Sequence, residues 1–301
     1  MGGRLVVLGI TVVVWLAVLA VFLVAVSAAL RGPEGGGVGF GPRVAVVELE
    51  GVILDVEDLL RELKTHRENP LVRAVVIRIN SPGGVVGPTQ ELHDALLRVR
   101  KAGKPVVASL SAVAASGGYY TAVAADQIFA NPGTLTGSIG VIMQLANLDV
   151  LLKKVGVDYV VVKAGQFKDI GNVSRPMTPE ERRVLQTLLD DVHAQFIDAV
   201  AAGRKLERER VAQFSDGRIF SGVQAKALGM VDELGGLEEA VDRAATLAGL
   251  ALPPRIIPPR RRFSIFDLLQ SRLGLDVLSA AGRGLGGSAL PVFKTPLYLM
   301  D

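Results

Sequence analysis

Cysteine is absent from the 301 residues, which excludes disulfide staples and thiolate metal sites. Histidine is almost as scarce. His66, His93 and His193 are the only three, and no His-x-x-x-His pair occurs, so a zinc hydrolase centre has no ligand set. From Asp94 to Val192 there is no histidine, which leaves the middle of the chain without an imidazole base. Aromatic residues make up 5% of the chain and no basic stripe is interleaved with them. A net charge of +3 and a pI near 9.2 therefore do not describe a nucleic-acid surface. The one dense basic run, Arg260-Arg261-Arg262 after Pro258-Pro259, reads as a solvated loop or a contact with anionic lipid head groups.

Apolar residues are what the chain has in excess: half its residues are hydrophobic and the mean hydropathy is +0.39. Much of this comes from Leu5–Leu30, 26 residues without a charge, whose polar side chains are Thr11 and Ser27. As a helix this run spans roughly 39 Å, against about 30 Å of bilayer hydrocarbon. It is longer than the apolar core of a cleavable signal peptide, so residues 1–31 are expected to be a retained transmembrane anchor, although Val26-Ser27-Ala28 would pass as a cleavage site. Arg4 before the span and Arg31 after it give only a slight positive-inside bias. Residues 32–42 (GPEGGGVGFGP) form a glycine-proline linker.

Beyond the linker, strands and helices alternate. Arg43–Leu49, Val72–Ile79, Pro105–Leu110, Gln127–Ala130, Ile139–Leu145 and Tyr159–Lys163 read as strands, and Val56–His66 and Thr89–Lys101 as helices. Thr178-Pro179-Glu180-Glu181 is a capping box that opens a long helix, with Val184, Leu185, Leu188, Leu189, Val192, Phe196 and Val200 on its apolar face. His193 beside that face reads as structural or surface-exposed. The alternation argues for an α/β domain with mostly parallel strand pairing over residues 43–250. No internal repeat is present, which speaks against a tandem arrangement. Residues 251–301 form a basic and apolar extension. Its Leu290–Met300 run, broken by two prolines, reads as an arm against a neighbouring subunit or as a segment able to occupy a substrate groove.

Four small-residue motifs punctuate the α/β region. Asn80-Ser81-Pro82-Gly83-Gly84 follows a buried strand, and its glycines leave backbone N–H groups free to approach an oxyanion. Ala114-Ala115-Ser116-Gly117-Gly118-Tyr119-Tyr120 holds a serine among small residues; taken alone it equally describes a tightly packed turn. Thr136-Gly137-Ser138-Ile139-Gly140-Val141 offers a second hydroxyl, or simply a turn serine. Gly165-Gln166-Phe167-Lys168-Asp169-Ile170 carries a lysine in a polar-poor loop. With no histidine at hand, a lysine amine held uncharged is the available base for a serine nucleophile.

In order and spacing these four segments, with Asp216–Gly222 and Ala225–Gly236 after them, resemble the signal peptide peptidase A family in its short, single-domain form. The resemblance covers about residues 42–250. It implies the Clp protease/crotonase-like fold and a Ser-Lys dyad, with Ser116 as nucleophile and Lys168 as general base. By the same likeness Ser138 orients the lysine, and Gly83, Gly84 and Gly117 bind the oxyanion. It further implies no metal or organic cofactor, and remnant signal peptides and other apolar peptides as substrates. A homo-oligomeric ring or dome with active sites built from neighbouring subunits is implied too, as is a single-pass protein of the cytoplasmic membrane whose catalytic part lies outside. Related Clp-type proteases have a histidine shortly after their serine; this chain has none there. A crotonase-type acyl-CoA enzyme and a non-catalytic membrane scaffold are the competing readings.

Overall fold

A computed structural model describes residues 15–16, 18–22, 41–260 and 297–299, in two compact units, residues 1–41 and 42–301. In the first unit residues 15–16 and 18–22 are helical and exposed. Most of the Leu5–Leu30 run and of the linker lies outside the described residues, and among the described ones no helix is long and apolar enough to cross a membrane. The arginines at 261 and 262 and most of the C-terminal extension lie outside them as well.

The second unit is built on eight strands: β1 (Arg43–Glu50), β2 (Val72–Ser81), β4 (Val106–Ala115), β5 (Gln127–Ala130), β6 (Leu135–Gly137), β7 (Ile219–Ser221), β8 (Glu233–Leu234) and β9 (Ile256–Ile257). Their order is β7-β6-β4-β2-β1-β9, with β5 also on β4 and β8 on β5. Every pairing is parallel except β6 with β7. Strand β4 forks. Val107–Leu110 pairs with β5 and Val113–Ala115 with β6. The fork delivers the end of β4 into the site.

Strand residues alternate between two apolar layers, as a period of two requires. Ala45, Val47, Leu49, Val75, Ile77, Ala108 and Leu110 face one cluster, which also takes side chains from α1 (Glu57–Glu68), α2 (Val86–Lys101), α3 (Gly117–Ala122) and α5 (Pro179–Arg204). Val44, Val46, Ala74, Val76, Val107 and Phe129 face the other, covered by α8 (Leu237–Leu247) through Ala240, Val241, Ala244 and Ala245. The remaining helices are α4 (Asp149–Lys154), α6 (Arg208–Ala212) and α7 (Gly222–Leu228).

The capping box at the start of α5 forms as its sequence predicts: the Glu181 N–H donates to Thr178 Oγ1 at 3.2 Å and the Thr178 N–H donates to Glu181 Oε2 at 2.9 Å. Two predicted strands do not form. Ile139–Leu145 and Tyr159–Lys163 are irregular, and the second leaves Tyr159, Val160 and Val162 at 62%, 84% and 96% exposure. β-branched residues favour a strand only where a neighbouring strand takes up their backbone groups, and among the described residues no strand pairs with either segment; the two hold a single bridge residue, Ile142. The first turns of α5 differ from expectation in a related way: Val184 and Leu188 are exposed, while Val192, Phe196 and Val200 are buried.

A short strand, β3 (Gly83–Val85), stands apart from the main sheet. The Ile53 N–H donates to the Gly83 carbonyl and the Val85 N–H donates to the Ile53 carbonyl, both at 2.8 Å. On its other edge β3 pairs antiparallel with β10 (Leu297–Leu299), Tyr298 opposite Gly84.

Candidate active site

Ser116 occupies the junction between β4 and α3, with φ 52° and ψ −119°. A β-carbon rarely adopts such angles, which cost of order 1–3 kcal/mol. Two bonds hold it there: the Ser116 N–H donates to the Gly137 carbonyl, and the Tyr120 N–H donates to the Ser116 carbonyl, both at 2.8 Å. The residue is wholly buried, yet its Oγ has no hydrogen-bond partner among the described residues.

Ser138 sits beside it by strand register. Ala115 pairs with Gly137 on adjacent parallel strands, so the two serines follow side by side, and Ser138 also has a positive φ, 51°. Its N–H donates to the Arg218 carbonyl at 2.8 Å. Ser138 also lines a cavity of about 740 Å³ together with Val141, Ile142, Leu189, His193 and Ile219. His193, predicted as structural or surface-exposed, thus lines a cavity, and its Nε2 is buried without a hydrogen-bond partner among the described residues.

The glycines converge from another side. A β-carbon on Gly117 would lie 3.3 Å from Gly83 Cα, 3.3 Å from Gly84 N and 2.8 Å from Thr89 Oγ1. One on Gly84 would lie 2.1 Å from the Ile53 carbonyl oxygen, so only glycine fits. Their amides are not equivalent. The Gly83 N–H donates to Ser81 Oγ at 3.1 Å and is already engaged. Alternation along β3, whose Gly83 carbonyl and Val85 N–H both point to Ile53, turns the Gly84 N–H to the opposite edge, where β10 pairs with the strand and Tyr298 stands opposite Gly84. Gly117 is the first residue of α3, where backbone N–H groups lack helical partners.

Lys168 is joined to this cluster by no hydrogen bond among the described residues. It is exposed, lies in a loop turned by its own N–H donating to the Gly165 carbonyl at 3.2 Å, and its amine makes no hydrogen bond or ion pair among the described residues. The described residues of its own chain do not bury it. Nor does it pair with the adjacent Asp169, whose carboxylate accepts from Lys163 and Arg175 instead. Ser81 stands inside the Asn80–Gly84 motif, but nothing in that motif marked its hydroxyl as the partner of the Gly83 N–H, and Arg175 stands in no periodic pattern.

Residues 98–251 match the profile of Peptidase family S49. The chain belongs to peptidase family S49. A provisionally named protease of Synechocystis sp. is 48% identical over 210 residues, 69% of this chain and 75% of that one. A provisionally named signal peptide peptidase SppA of Enterococcus faecium is 36% identical over 186 residues, 62% of this chain and 54% of its own. The chloroplastic serine protease SPPA of Arabidopsis thaliana is 32% identical over 253 residues, 83% of this chain and 36% of its own. This S49 chain thus spans about half and about a third of the latter two relatives. The matched segment contains Ser116, Ser138 and Lys168, whereas Gly83 and Gly84 precede it.

Proposed function

We propose that the chain is a membrane-anchored serine endopeptidase in which Ser116 is the nucleophile and Lys168 the general base. The observation that carries this reading is the buried, unbonded Oγ of Ser116 on a strained strand-to-helix turn, flanked by Gly84 and Gly117. The Lys168 amine takes the Oγ proton as the oxygen attacks a peptide carbonyl. With β10 displaced from the Gly84 edge, the amides of Gly84 and Gly117 stabilise the oxyanion, a contribution worth about 3–4 kcal/mol per donor in other hydrolases. The same amine then protonates the departing nitrogen, and water hydrolyses the acyl-enzyme by the reverse proton path. Ser138 directs the amine.

Lys168 reaches Ser116 of a neighbouring copy in this reading, within a homo-oligomeric ring or dome. Three features support it. Among the described residues the exposed Lys168 amine is unpaired and Ser116 Oγ has no hydrogen-bond partner, and the segment leading to Lys168 exposes Leu148, Val150, Leu151, Val155 and Tyr159–Val162. Apolar exposure on that scale marks an interaction surface. The substrates are remnant signal peptides and other apolar peptides. The Leu5–Leu30 run anchors the protein in the cytoplasmic membrane, with the peptidase domain, residues 43–250, on the outer side and residues 251–301 as an extension.

Labelling with a fluorophosphonate probe tests the nucleophile. The wild-type protein is expected to be labelled and a folded Ser116→Ala protein is not; equal labelling of both overturns the assignment.

A further inference from the structure

The loop that carries Lys168 is tied at both ends to one turn of helix. Gln166 Nε2 donates to Glu180 Oε2 at 3.0 Å. Arg175 Nε donates to Asp169 Oδ2 at 3.0 Å, and its two terminal nitrogens grip the Glu181 carboxylate, Nη1 donating to Oε2 at 2.9 Å and Nη2 to Oε1. Glu181 is the capping-box residue of α5, so this fork is fixed to the helix start. Lys163 donates to the other oxygen of Asp169 and, at 2.8 Å, to the Gln166 carbonyl. Lys168, between Gln166 and Asp169, is left out of the network.

Asp169 is the residue next to Lys168 in the chain. A free carboxylate there would attract the amine and favour its charged form, which cannot accept a proton. We propose that Arg175 is a positioning residue for Lys168: it occupies the Asp169 carboxylate, so that the amine has no local anion to pair with, and it fastens the loop to the first turn of α5 so that the amine projects. The proposal rests on the reading of Lys168 as the base. The charged groups around the loop are Lys163, Asp169 and Arg175 on the loop itself, with Glu180, Glu181 and Arg182 on α5; Arg182 lines the same small cavity as Arg175. Hydrogen bonds from Arg175 and then Lys163 hold Asp169 well below the usual carboxylate range, and Arg175 together with the Thr178 amide brings Glu181 down to about 2. Asp169 and Glu181 therefore stay ionised above about pH 4, and a kinetic limb that moves above that pH does not report these two carboxylates.

The test is the pH profile of kcat/KM on a peptide substrate, measured with the full chain and accompanied by thermal melting of each variant. Arg175→Ala removes a cation and frees one oxygen of Asp169, Lys163 keeping the other; both changes favour a protonated amine, so the rising limb is expected to move up by about one pH unit, an approximately tenfold loss below the limb on top of a severalfold fall in kcat at every pH from the lost grip on Glu181. Asp169→Asn, nearly isosteric, leaves Lys163 and Arg175 uncompensated and is expected to move the limb down. The double variant Asp169→Asn/Arg175→Ala is expected to return it close to the wild-type position. Arg175→Lys keeps the charge and loses the two-toothed grip on Glu181, so the limb stays and kcat falls severalfold. If Asp169→Asn and Arg175→Ala both leave the limb in place, the proposal is overturned and Arg175 is structural only. Should Arg175→Ala fail to fold, the direction of the Asp169→Asn shift decides alone. Lys168→Ala separates the two levels: an active Lys168→Ala protein removes the base assignment itself, whereas an inactive one with unmoved limbs in the other variants removes only the role of Arg175.

Discussion

The backbone angles at Ser116 have a consequence for stability that is separable from catalysis. Glycine relieves a strain of order 1–3 kcal/mol at such angles, and it gives back about 0.5–1 kcal/mol through the greater freedom of the unfolded chain. Ser116→Gly is therefore expected to be inactive and about 1 kcal/mol more stable, a rise in melting temperature of roughly 2–4 °C for a domain of this size. Ser116→Ala keeps the β-carbon and should melt close to wild type. A Ser116→Gly protein that melts lower than Ser116→Ala would mean the turn carries no strain. At Lys168 the decisive replacement is arginine. It preserves charge and approximate reach but does not deprotonate in proteins, so Lys168→Arg should be as inactive as Lys168→Ala. If Lys168 merely met an exposed carboxylate, Lys168→Arg would turn over substrate at nearly the wild-type rate.

Helix α3 is held against its neighbours by an aromatic ladder. The His93 ring on α2 meets the Tyr120 ring edge-on at 5.0 Å, and Tyr120 meets Phe196 on α5, also at 5.0 Å. Burial lowers the His93 imidazole from its ordinary value, with the neighbouring Asp94 opposing that shift and Arg100 adding to it. The unfolded chain therefore binds the His93 proton more readily than the folded one. Stability from this site is complete above about pH 6.5 and declines as the pH falls through the lowered folded value. His93→Gln should flatten that acid decline in urea titrations between pH 7 and pH 5; an unchanged decline would assign it to other groups. The same elements show how far sequence patterns reach. Strands β1, β2 and β5 were legible because each has its partners within the chain, and the Thr178 cap because its signal is local. Ile139–Leu145 and Tyr159–Lys163 carry strand composition without a partner strand among the described residues. The Ser116 turn was legible through its glycines. The Asp169–Arg175–Glu181 chain was not, because ion pairs within a loop leave no period to read.

For the whole molecule, the apolar segment ahead of Lys168 and the bare first turns of α5 make assembly the condition for activity in the proposed reading. A charge at an exposed position of that segment costs a monomer little and an interface a great deal. Val160→Asp and Val162→Asp are expected to stay folded by circular dichroism, to sediment as monomers and to lose most peptidase activity. A monomeric Val162→Asp protein with wild-type turnover would place base and nucleophile in one chain.

Strand β3 is already paired on both edges, with Ile53 on one and Leu297–Leu299 on the other. An extended peptide arriving at the Gly84 edge therefore meets an occupied berth, and its apparent affinity is scaled by the fraction of time that edge stands open. Shortening the chain by residues 290–301 should lower KM and leave kcat unchanged, with the lost segment, added back as a synthetic peptide, acting as a competitive inhibitor. Access to the site would then be governed by an exchange of partners at one strand edge, and throughput at low substrate by how loosely the resident strand is held.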